Sequence, residues 1–346
     1  MGGAEGAPHP VMAGGERLRR VSGSFLARTI MVVGDVICDE YLIGKPARIS
    51  REAPVIILKF TDRDVRLGGA ANAANNVHAL GARVIPVGVV GADRAGDEVL
   101  DLFHAGDMST DGLVVDATRP TPVKTRIMAG GYQATRQQVV RIDREPPSDL
   151  SPLTEDALLS RLRAVSSRVD AILVSDYGYG TVSPRVFEAV KTLARASGAI
   201  VTVDSRYDLP RFGGVTAATP NETELGELAG EVVDAERALE KAGRQLLERL
   251  DARLLLVTRG SQGMALLERE GGSTFIPIFG TDEIADVTGA GDTVIGAFTL
   301  ALASGAAPVD AATLANMAGG IVVMKRGTAT VTREELTQAL ATSDGL

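Results

Sequence analysis

Short apolar segments alternate with helical patterns along most of the chain. The runs Ile30-Met31-Val32-Val33 and Ala171-Ile172-Leu173-Val174 are apolar at every position, which is typical of parallel strands covered on both faces. Similar runs lie at 83–90, 200–203 and 254–257. The hydrophobic pattern therefore predicts a mostly parallel sheet whose strands are joined by helices.

The segments between these runs carry signals for the start and end of helices. Ser183-Pro184 combines a capping hydroxyl with a proline at the first helical position, and Gly198 lies where that helix should end. From Leu153 to Val165 a helical period begins with acidic residues and ends with arginines, which suits the helix dipole. We therefore predict the fold class α/β, as a sandwich with helices packed on the sheet.

Three aspartates follow directly after predicted strands. Asp35, Asp176 and Asp204 each come within two residues of the end of an apolar run. Because open α/β sheets bind ligands outside the carboxyl ends of their strands, we expect these aspartates at the ligand edge of the sheet.

Two stretches break the alternation. Val55 to Phe60 and Pro122 to Ile142 read as extended strands without the helices that parallel neighbours require. Their basic side chains are Lys59, Lys124, Arg126, Arg136 and Arg141. We interpret these stretches as a small β lid over the ligand edge, with strands drawn from about 41–62 and 120–142.

The composition narrows the possible partners. The chain has 346 residues, a net charge of −8, 4% aromatic residues and no tryptophan, which argues against nucleic-acid binding. No apolar run approaches the roughly 20 residues of a membrane span, so we expect no membrane partner. A single cysteine permits a reducing compartment, and we expect a cytoplasmic protein.

The domain boundaries follow from the same patterns. The first residues are rich in Gly, Ala and Pro, and we predict a flexible leader over residues 1–25. Residues 26–340 then form one domain, and residues 341–346 form a tail.

The sharpest chemical signal is Asp286-Val287-Thr288-Gly289-Ala290-Gly291-Asp292-Thr293, ahead of an apolar helix from about Val294 to Ala303. Glycines let main-chain N–H groups approach an anion, and a helix N-terminus adds its positive dipole end. The loop is suited to a transferred phosphoryl group, with Asp292 placed to accept a proton from an attacking hydroxyl. At a helix mouth its pKa is expected to be low. Alternatively, Asp292 only caps the helix and the glycines only form a turn.

Two further motifs contain polar residues at the start of helices. In Gly68-Gly69-Ala70-Ala71-Asn72 the glycines let a polar ligand lie against the main chain, and Asn72 can hydrogen-bond a hydroxyl. The alternative is a loop and a capping Asn. Asn221 and Glu224 lie on one face of a first helical turn, where they could hold hydrated Mg²⁺ beside ATP phosphates. The alternative there is a capping box.

In this order, the three motifs resemble the ribokinase/PfkB family of sugar kinases over roughly residues 28–340. The resemblance implies a ribokinase-like three-layer sandwich with a small β-strand lid, and an enzyme that phosphorylates a sugar with ATP and Mg²⁺.

Further segments look like the heptose 7-phosphate kinases of this family: Gly34-Asp35 with Asp39, Tyr41, the run 48–55, and Ser175-Asp176-Tyr177. Those enzymes phosphorylate C1 of D-glycero-β-D-manno-heptose 7-phosphate on the route to ADP-heptose for lipopolysaccharide. In many bacteria they form the N-terminal half of a bifunctional protein. We expect this chain to hold the kinase half without the nucleotidyltransferase.

The resemblance implies roles for the matching positions. The catalytic base would be Asp292, with an anion hole made by Gly289, Ala290 and Gly291. The sugar would be bound by Asp35, Gly68, Gly69, Asn72 and Asp176. ATP and its Mg²⁺ would be bound by Asn221, Glu224, Thr258, Gly260, Gly263 and Asn316. A monovalent cation such as K⁺ would be held by carbonyl groups of Asp286, Thr288 and residues 325–330.

A binding site for a phosphorylated sugar needs basic side chains, because an acidic protein must neutralise the phosphate dianion locally. The candidates are Arg48, Lys124, Arg126 and Arg141. We expect about two of them to touch the phosphate, since strand edges carry such charges for other reasons as well.

Some positions depart from the heptose kinase pattern and leave the sugar open. Ser205 and Arg206 stand where the resemblance leads us to expect a proline and a lysine or asparagine, and Leu67 replaces a proline. Alternatives are a kinase for fructose, ribose or a hexose phosphate, and a silent sugar-binding relative. A nicotinamide dehydrogenase fails because no G-x-G-x-x-G follows the first strand. An exposed lid would leave strand edges and apolar faces uncovered, so we expect a homodimer formed through it.

Overall fold

The computed structural model describes residues 10–130, 137–165, 169–233, 235–280 and 285–343. The strands are β1 Thr29–Gly34, β2 Val36–Ile49, β3 Ile56–Gly69, β4 Arg83–Gly91, β5 Gly112–Asp116, β6 Val123–Ala129, β7 Gln137–Arg144, β8 Ala171–Asp176, β9 Ile200–Ser205, β10 Ala217–Ala218, β11 Leu254–Thr258, β12 Met264–Glu268 and β13 Ser273–Ile276. The helices are α1 Pro10–Gly23, α2 Ala70–Ala79, α3 Arg94–Ala105, α4 Pro152–Ala164, α5 Pro184–Ser197, α6 Glu222–Ala229, α7 Glu236–Leu250, α8 Ala290–Ala303, α9 Pro308–Val323 and α10 Arg333–Ser343.

The described residues form a nine-stranded sheet in the order β13-β12-β11-β10-β9-β8-β1-β4-β5. Neighbouring strands from β11 to β5 are parallel, and β12 and β13 add an antiparallel edge. The predicted α/β fold with a mostly parallel sheet is confirmed. The chain winds outward in one direction from β1 and in the other from β8, so these two strands flank the switch point at which such sheets bind ligands.

Successive side chains of β1 enter two separate cores, as the two-residue period of a strand requires. Ile30 and Val32 pack in the core that contains residues of α2, α8 and α9. Met31 and Val33 pack in the core that contains residues of α4, α5 and α7. The sheet is therefore the middle layer of three.

Local signals set the helix ends. The Ser183 hydroxyl accepts a hydrogen bond from the amide of Val186, and Gly198 ends α5 at a φ of 73°. The helix predicted from about Val294 begins earlier, at Ala290, because Gly289 serves as its N-cap with a φ of 78°. Asp292 thus lies within the first turn of α8.

The predicted lid is present as a four-stranded sheet in the order β3-β2-β6-β7. β2 and β3 form a long antiparallel hairpin, and β6 lies parallel to β2. The strands of this hairpin are longer than expected, because β2 begins at Val36 and β3 continues to Gly69. Arg136 lies outside the described residues.

The leader predicted over residues 1–25 is wrong from residue 10 onward. Residues 10–23 form α1, whose Leu18 and Val21 pack against the core, and Arg17 donates to both carboxylate oxygens of Asp310 at 2.5 and 2.7 Å. The prediction rested on the Gly- and Ala-rich composition of the first residues and overlooked the apolar side chains of α1 that pack against the core. The predicted tail likewise overlaps α10, which extends to Ser343. In the described part of the chain, none of the helices has the length and apolarity to cross a membrane.

Candidate active site

The glycine-aspartate loop runs directly into α8 at the carboxyl edge of the central sheet. Gly289 adopts a left-handed conformation with a φ of 78°, and a β-carbon there would lie 2.6 Å from Nδ2 of Asn72. Only glycine fits this position without displacing Asn72. The turn therefore fixes how the first residues of α8 meet α2.

Asp292 is buried, with 3% of its surface exposed, and its carboxylate is held by two side chains. Oδ2 accepts a hydrogen bond of 2.8 Å from Nδ2 of Asn72. Oδ1 accepts one of 3.0 Å from the Tyr177 hydroxyl. Because Gly289 is the N-cap, the alternative that Asp292 only caps the helix is wrong.

Burial raises the pKa of Asp292 to about 6, even though the hydrogen bonds from Asn72 and Tyr177 lower it. The expected low pKa at a helix mouth is therefore wrong, because desolvation of the carboxylate outweighs the helix dipole. A pKa closer to neutrality makes a carboxylate a better general base at physiological pH.

Of the three residues predicted to form the anion hole, Gly289 and Gly291 line the cavity and Ala290 does not. The amide of Ala290 donates to the carbonyl oxygen of Val287 at 3.2 Å and so is not free for a ligand. Gly289, Gly291 and Asp292 line the cavity in front of the loop, while Ala290 does not. Among the described residues the amides of Gly291 and Asp292 have no partner, as expected for the first turn of a helix.

Asn72 and Asp35, both predicted to hold sugar hydroxyls, face the protein instead. Asn72 donates to Asp292, and its Oδ1 accepts a bond of 3.2 Å from Asn76. Asp35 accepts hydrogen bonds from the amides of Tyr177, Tyr179 and Thr181. Asp35 is enclosed because the chain turns there between β1 and β2, so it fixes the loop after β8 rather than facing the cavity.

Asp39 on β2, four residues after Asp35, has a carboxylate that does face the cavity. It forms an ion pair of 2.7 Å with Arg126, and both side chains are buried. A β-carbon on Gly68 would lie 2.8 Å from this carboxylate, so Gly68 makes room for Asp39 without lining the cavity itself. Gly69 does line it, and Asp176, held by Ser205 and Arg211, lies at its margin.

Three of the four predicted phosphate-binding cations line the cavity: Lys124, Arg126 and Arg141. Arg48 does not, since it lies at the far, exposed end of β2. Lys124 stands 4.5 Å over the ring of Tyr177 and has no ion pair among the described residues. Burial lowers the pKa of Lys124, the charge of Asp39 raises it, and the charges of Arg206 and Arg141 lower it. Arg126 pairs with Asp39 and Arg141 with Asp143, so of the three lining cations Lys124 is the one without an ion pair in the described part of the chain.

Asn221 and Glu224 form the capping box that was the alternative to a metal role. Oδ1 of Asn221 accepts from the amide of Glu224 at 2.8 Å, and Oε2 of Glu224 accepts from the amide of Asn221 at 2.9 Å. Both residues nevertheless line the cavity, so the capping box also presents two oxygen-bearing side chains to it.

The predicted nucleotide residues separate into two groups. Thr258 and Gly260 line the cavity together with Arg259 and Ser261. Gly263 and Asn316 do not, because both support the segment after β13. A β-carbon on Gly263 would lie 2.1 Å from the carbonyl oxygen of Ile276, and Asn316 donates to that of Pro277 at 2.7 Å.

A single cavity of about 960 Å³ joins these groups. It extends from Asp39 and the lid cations, past Asp292 and the glycine loop, to Asn221 and Thr258. An acceptor alcohol and a nucleotide can therefore meet at one carboxylate.

Comparison with known proteins decides the family. The model for the pfkB family of carbohydrate kinases matches residues 27–335. The chain belongs to this family.

Relatives of this pfkB family member include two proteins named bifunctional protein HldE. The one from Geobacter metallireducens is 43% identical over 307 residues, which is 88% of this chain and 61% of the relative. The one from Mesorhizobium japonicum is 40% identical over 331 residues, which is 95% of this chain and 65% of the relative. The chain thus spans less than two thirds of the length of these relatives.

Solved structures share the fold of this pfkB family member. Phosphofructokinase-2 from Escherichia coli, in complex with substrates and products, superposes with a TM-score of 0.74 at 17% identity, covering 91% of this chain and 99% of the other. Ribokinase from Arabidopsis thaliana, complexed with ribose and ATP, gives 0.69 at 19% identity, covering 90% and 98%. At this identity the likeness establishes the ribokinase fold.

The cavity residues of this pfkB kinase that received no binding role from the sequence include Asp39, Tyr177, Asp204 and Arg206. Asp204 had a signal, since it follows the apolar run of β9. Burial raises its pKa well above the usual range, and the negative charges of Asp292 and Glu224 add to the effect. Arg206 was seen only as a departure from the expected pattern. Tyr177 follows directly after β8 and had no signal of its own.

Proposed function

We propose that this kinase transfers the γ-phosphoryl group of ATP to the C1 hydroxyl of D-glycero-β-D-manno-heptose 7-phosphate, a step toward ADP-heptose. The observation that carries the proposal is one cavity containing a buried carboxylate of raised pKa, a helix N-terminus and Lys124, a buried cation without an ion pair among the described residues. The resemblance to heptose 7-phosphate kinases and the relatives named HldE support the choice of sugar.

In the proposed step, the acceptor hydroxyl lies against Asp292. Its proton passes to Oδ1 or Oδ2, and the alcohol oxygen forms a bond to the γ-phosphorus. The bond from that phosphorus to the β,γ-bridging oxygen breaks, and ADP leaves with the electron pair. The amides of Gly291 and Asp292 point toward the charge on the transferred group and stabilise it. Asp292 then releases its proton to solvent.

The residues present fit a Mg²⁺ ion bound mainly through phosphate and water. Asp204 and Glu224 both line the cavity, and burial raises the pKa of each, so a cation beside them would relieve their desolvation and repulsion. Within the described residues, no cluster of three or more carboxylate, His or Cys groups could hold a metal directly. That is consistent with Mg²⁺, which usually keeps waters and few protein ligands. When bound, it would neutralise the charge of the ATP phosphates.

The phosphate of the sugar would bind Lys124, Arg141 and Arg206. All three line the cavity, Lys124 and Arg141 from the lid strands and Arg206 from the segment after β9, and Lys124 is the buried one. Arg126 is already paired with Asp39, and this pair would face the sugar hydroxyls instead. A dianionic acceptor would supply Lys124 with a counter-ion, whereas a neutral sugar would not; Arg141 already pairs with Asp143 at 2.9 Å.

The proposal includes a homodimer formed through the lid, in the cytoplasm, where ATP is available, and one kinase domain that contains α1 and the whole of α10 in addition to residues 26–340. Support for the dimer is the set of large apolar side chains exposed on the lid strands: Ile49, Ile56, Phe60, Val139, Val140 and Ile142. An exposed apolar sheet face of this kind is typical of an interaction surface. A monomeric mass in solution at micromolar concentration would count against it.

A substrate panel tests the function. ADP formation is measured with heptose 7-phosphate, fructose 6-phosphate, ribose and fructose as acceptors, with ATP and Mg²⁺. The proposal predicts turnover of heptose 7-phosphate with the new phosphate at C1. Turnover of only the unphosphorylated sugars would reject the assigned substrate, and no turnover of any acceptor would reject the kinase assignment.

A further inference from the structure

Part of the carbonyl set predicted to bind a monovalent cation already accepts hydrogen bonds from a basic side chain of the chain. Arg66 on β3 reaches the segment 325–330, where its Nη1 donates to the carbonyl oxygens of Arg326 at 2.8 Å and Thr328 at 3.2 Å. Its Nε is held by Asp64 at 2.8 Å. Gly327, with a φ of 68°, leaves space for the Arg66 guanidinium, since a β-carbon at this position would lie 2.7 Å from Nη1 of Arg66.

The carboxylate of Asp286, whose carbonyl group belongs to the predicted set, accepts hydrogen bonds from two amides of the chain. Oδ1 of Asp286 accepts from the amide of Thr288 at 2.9 Å, and Oδ2 accepts from the amide of Gly327 at 2.9 Å. A second cation beside Arg66 would meet like charge at short range. A K⁺ ion therefore does not fit beside the carbonyl oxygens of Arg326 and Thr328 that Arg66 holds.

We propose that the guanidinium of Arg66 is a built-in cation, which takes the place of a monovalent ion and positions the phosphoryl-binding loop. The role rests on the proposed kinase function. Its contacts form a continuous path: Arg66 holds two carbonyls on either side of Gly327, the amide of Gly327 binds Asp286, and Asp286 binds the amide of Thr288. Gly289 is the next residue.

The same guanidinium ties the lid to the cavity wall. It lies 5.5 Å from the ring centre of Tyr41, whose hydroxyl accepts from the amide of Thr328 at 3.1 Å. Thr328 lines the cavity, and its hydroxyl has no partner among the described residues. Arg66 is thus a positioning residue that acts on the loop and on Thr328 rather than on the reacting atoms.

The test compares cations at constant ionic strength. Wild-type enzyme should turn over equally, within about twofold, in potassium chloride and in tetramethylammonium chloride. Arg66→Ala should lose about 10-fold to 100-fold in kcat in tetramethylammonium, because the support of the loop is lost. Low concentrations of guanidinium or K⁺ should restore much of that rate, and Arg66→Lys should stay insensitive to the cation.

A thermal-shift measurement supplies a readout independent of activity. The midpoint of unfolding should be the same in the two salts for the wild type and higher in K⁺ for Arg66→Ala, because a ligand that binds only the folded state stabilises it. Arg63→Ala is the matched control. Arg63 lies on the same strand and pairs with Glu40 and Glu98, so this variant should show no cation dependence.

A wild-type rate or melting midpoint that depends strongly on K⁺ would overturn the proposal. So would an Arg66→Ala enzyme with full rate in tetramethylammonium, or one whose lost rate no cation restores. If Arg66→Ala does not fold, Arg66→Lys tests the proposal instead. A turnover rate of Arg66→Lys that depends on K⁺ would contradict a built-in cation. If the wild type phosphorylates no sugar, the proposed function fails, while the thermal measurement still tests Arg66.

Discussion

The hydroxyl of Tyr177 donates a hydrogen bond of 3.0 Å to Oδ1 of Asp292. This contact joins the loop after β8 to the first turn of α8 at the carboxylate that we propose as the base. The loop is itself held by Asp35, which accepts the amide of Tyr177 at 2.7 Å. Asp35, predicted to bind sugar, thus orients the base through Tyr177.

Replacing Tyr177 by Phe should shift the pH dependence of the reaction. The hydrogen bond from Tyr177 lowers the pKa of Asp292, so its loss should raise that pKa further. We expect the acidic limb of the kcat/KM profile to move to higher pH and kcat near neutrality to fall about threefold to tenfold. The control is Tyr179→Phe, whose hydroxyl contacts Glu145 instead. An unshifted profile for Tyr177→Phe would contradict the relationship.

The wild-type enzyme should lose activity in acid. Asp292 must be ionised to accept a proton, and its pKa is about 6. Activity should therefore be constant above that pH and fall about tenfold for each pH unit well below it. The check is a kcat/KM profile at saturating Mg²⁺. Constant activity down to about pH 4 would show that another group limits the reaction.

Replacing Asp292 by Asn should abolish turnover, leave ATP binding intact and stabilise the fold at alkaline pH. Ionised Asp292 destabilises the folded state, because burial raises its pKa from 3.8 to about 6. This destabilisation is absent at pH values below the pKa of Asp292 in the unfolded chain. It is complete at pH values above the pKa of Asp292 in the folded protein. At about pH 8 the Asn variant should gain about 1 to 3 kcal/mol in free energy of unfolding, and the gain should vanish toward about pH 4. Urea unfolding at both pH values checks this, and a gain independent of pH would contradict it.

Lys124 should control recognition of the sugar phosphate. Lys124→Met keeps the length of the side chain and removes its charge, so KM for heptose 7-phosphate should rise about 10-fold to 100-fold while KM for ATP changes little. Arg48→Met is the control, since Arg48 lies outside the cavity at the exposed end of β2. Equal effects of the two substitutions would contradict the assignment.

Gly289 should tolerate no side chain. Gly289→Ala places a β-carbon 2.6 Å from Asn72 at a φ of 78°, so it should displace Asn72 and lower kcat by about tenfold or more. Gly305 has a similar φ of 82° with nothing within 4 Å, and Gly305→Ala serves as the control. That control should cost about 1 kcal/mol of stability and leave kcat unchanged. Wild-type kcat for Gly289→Ala would contradict the role of the turn.

The sequence predicted the sheet, the lid and the order of the motifs because each depends on local chemistry. Apolar runs specify buried parallel strands, and Ser183 and Gly198 mark the ends of α5. The glycine-aspartate loop carries its chemistry in consecutive residues, so its place at the cavity could also be predicted.

What the sequence could not predict depends on how the chain turns between elements. Asp35 and Asp39 are equally suited to bind sugar by composition, but the chain leaves the central sheet at Val36, which encloses Asp35 and directs Asp39 into the cavity. The amide of Ala290 is excluded from the proposed anion hole by a turn in which it donates to the carbonyl oxygen of Val287. The reach of Arg66 to Thr328 spans 262 positions, which no local pattern reveals.

The central claim is that Asp292 deprotonates the C1 hydroxyl of a sugar phosphate bound in the same cavity as ATP. The most direct measurement is phosphorus NMR of wild-type and Asp292→Asn reactions with ATP, Mg²⁺ and heptose 7-phosphate. We predict a second sugar phosphate signal, coupled to the C1 proton, with the wild type alone. The same signal formed at a similar rate by Asp292→Asn would contradict the account.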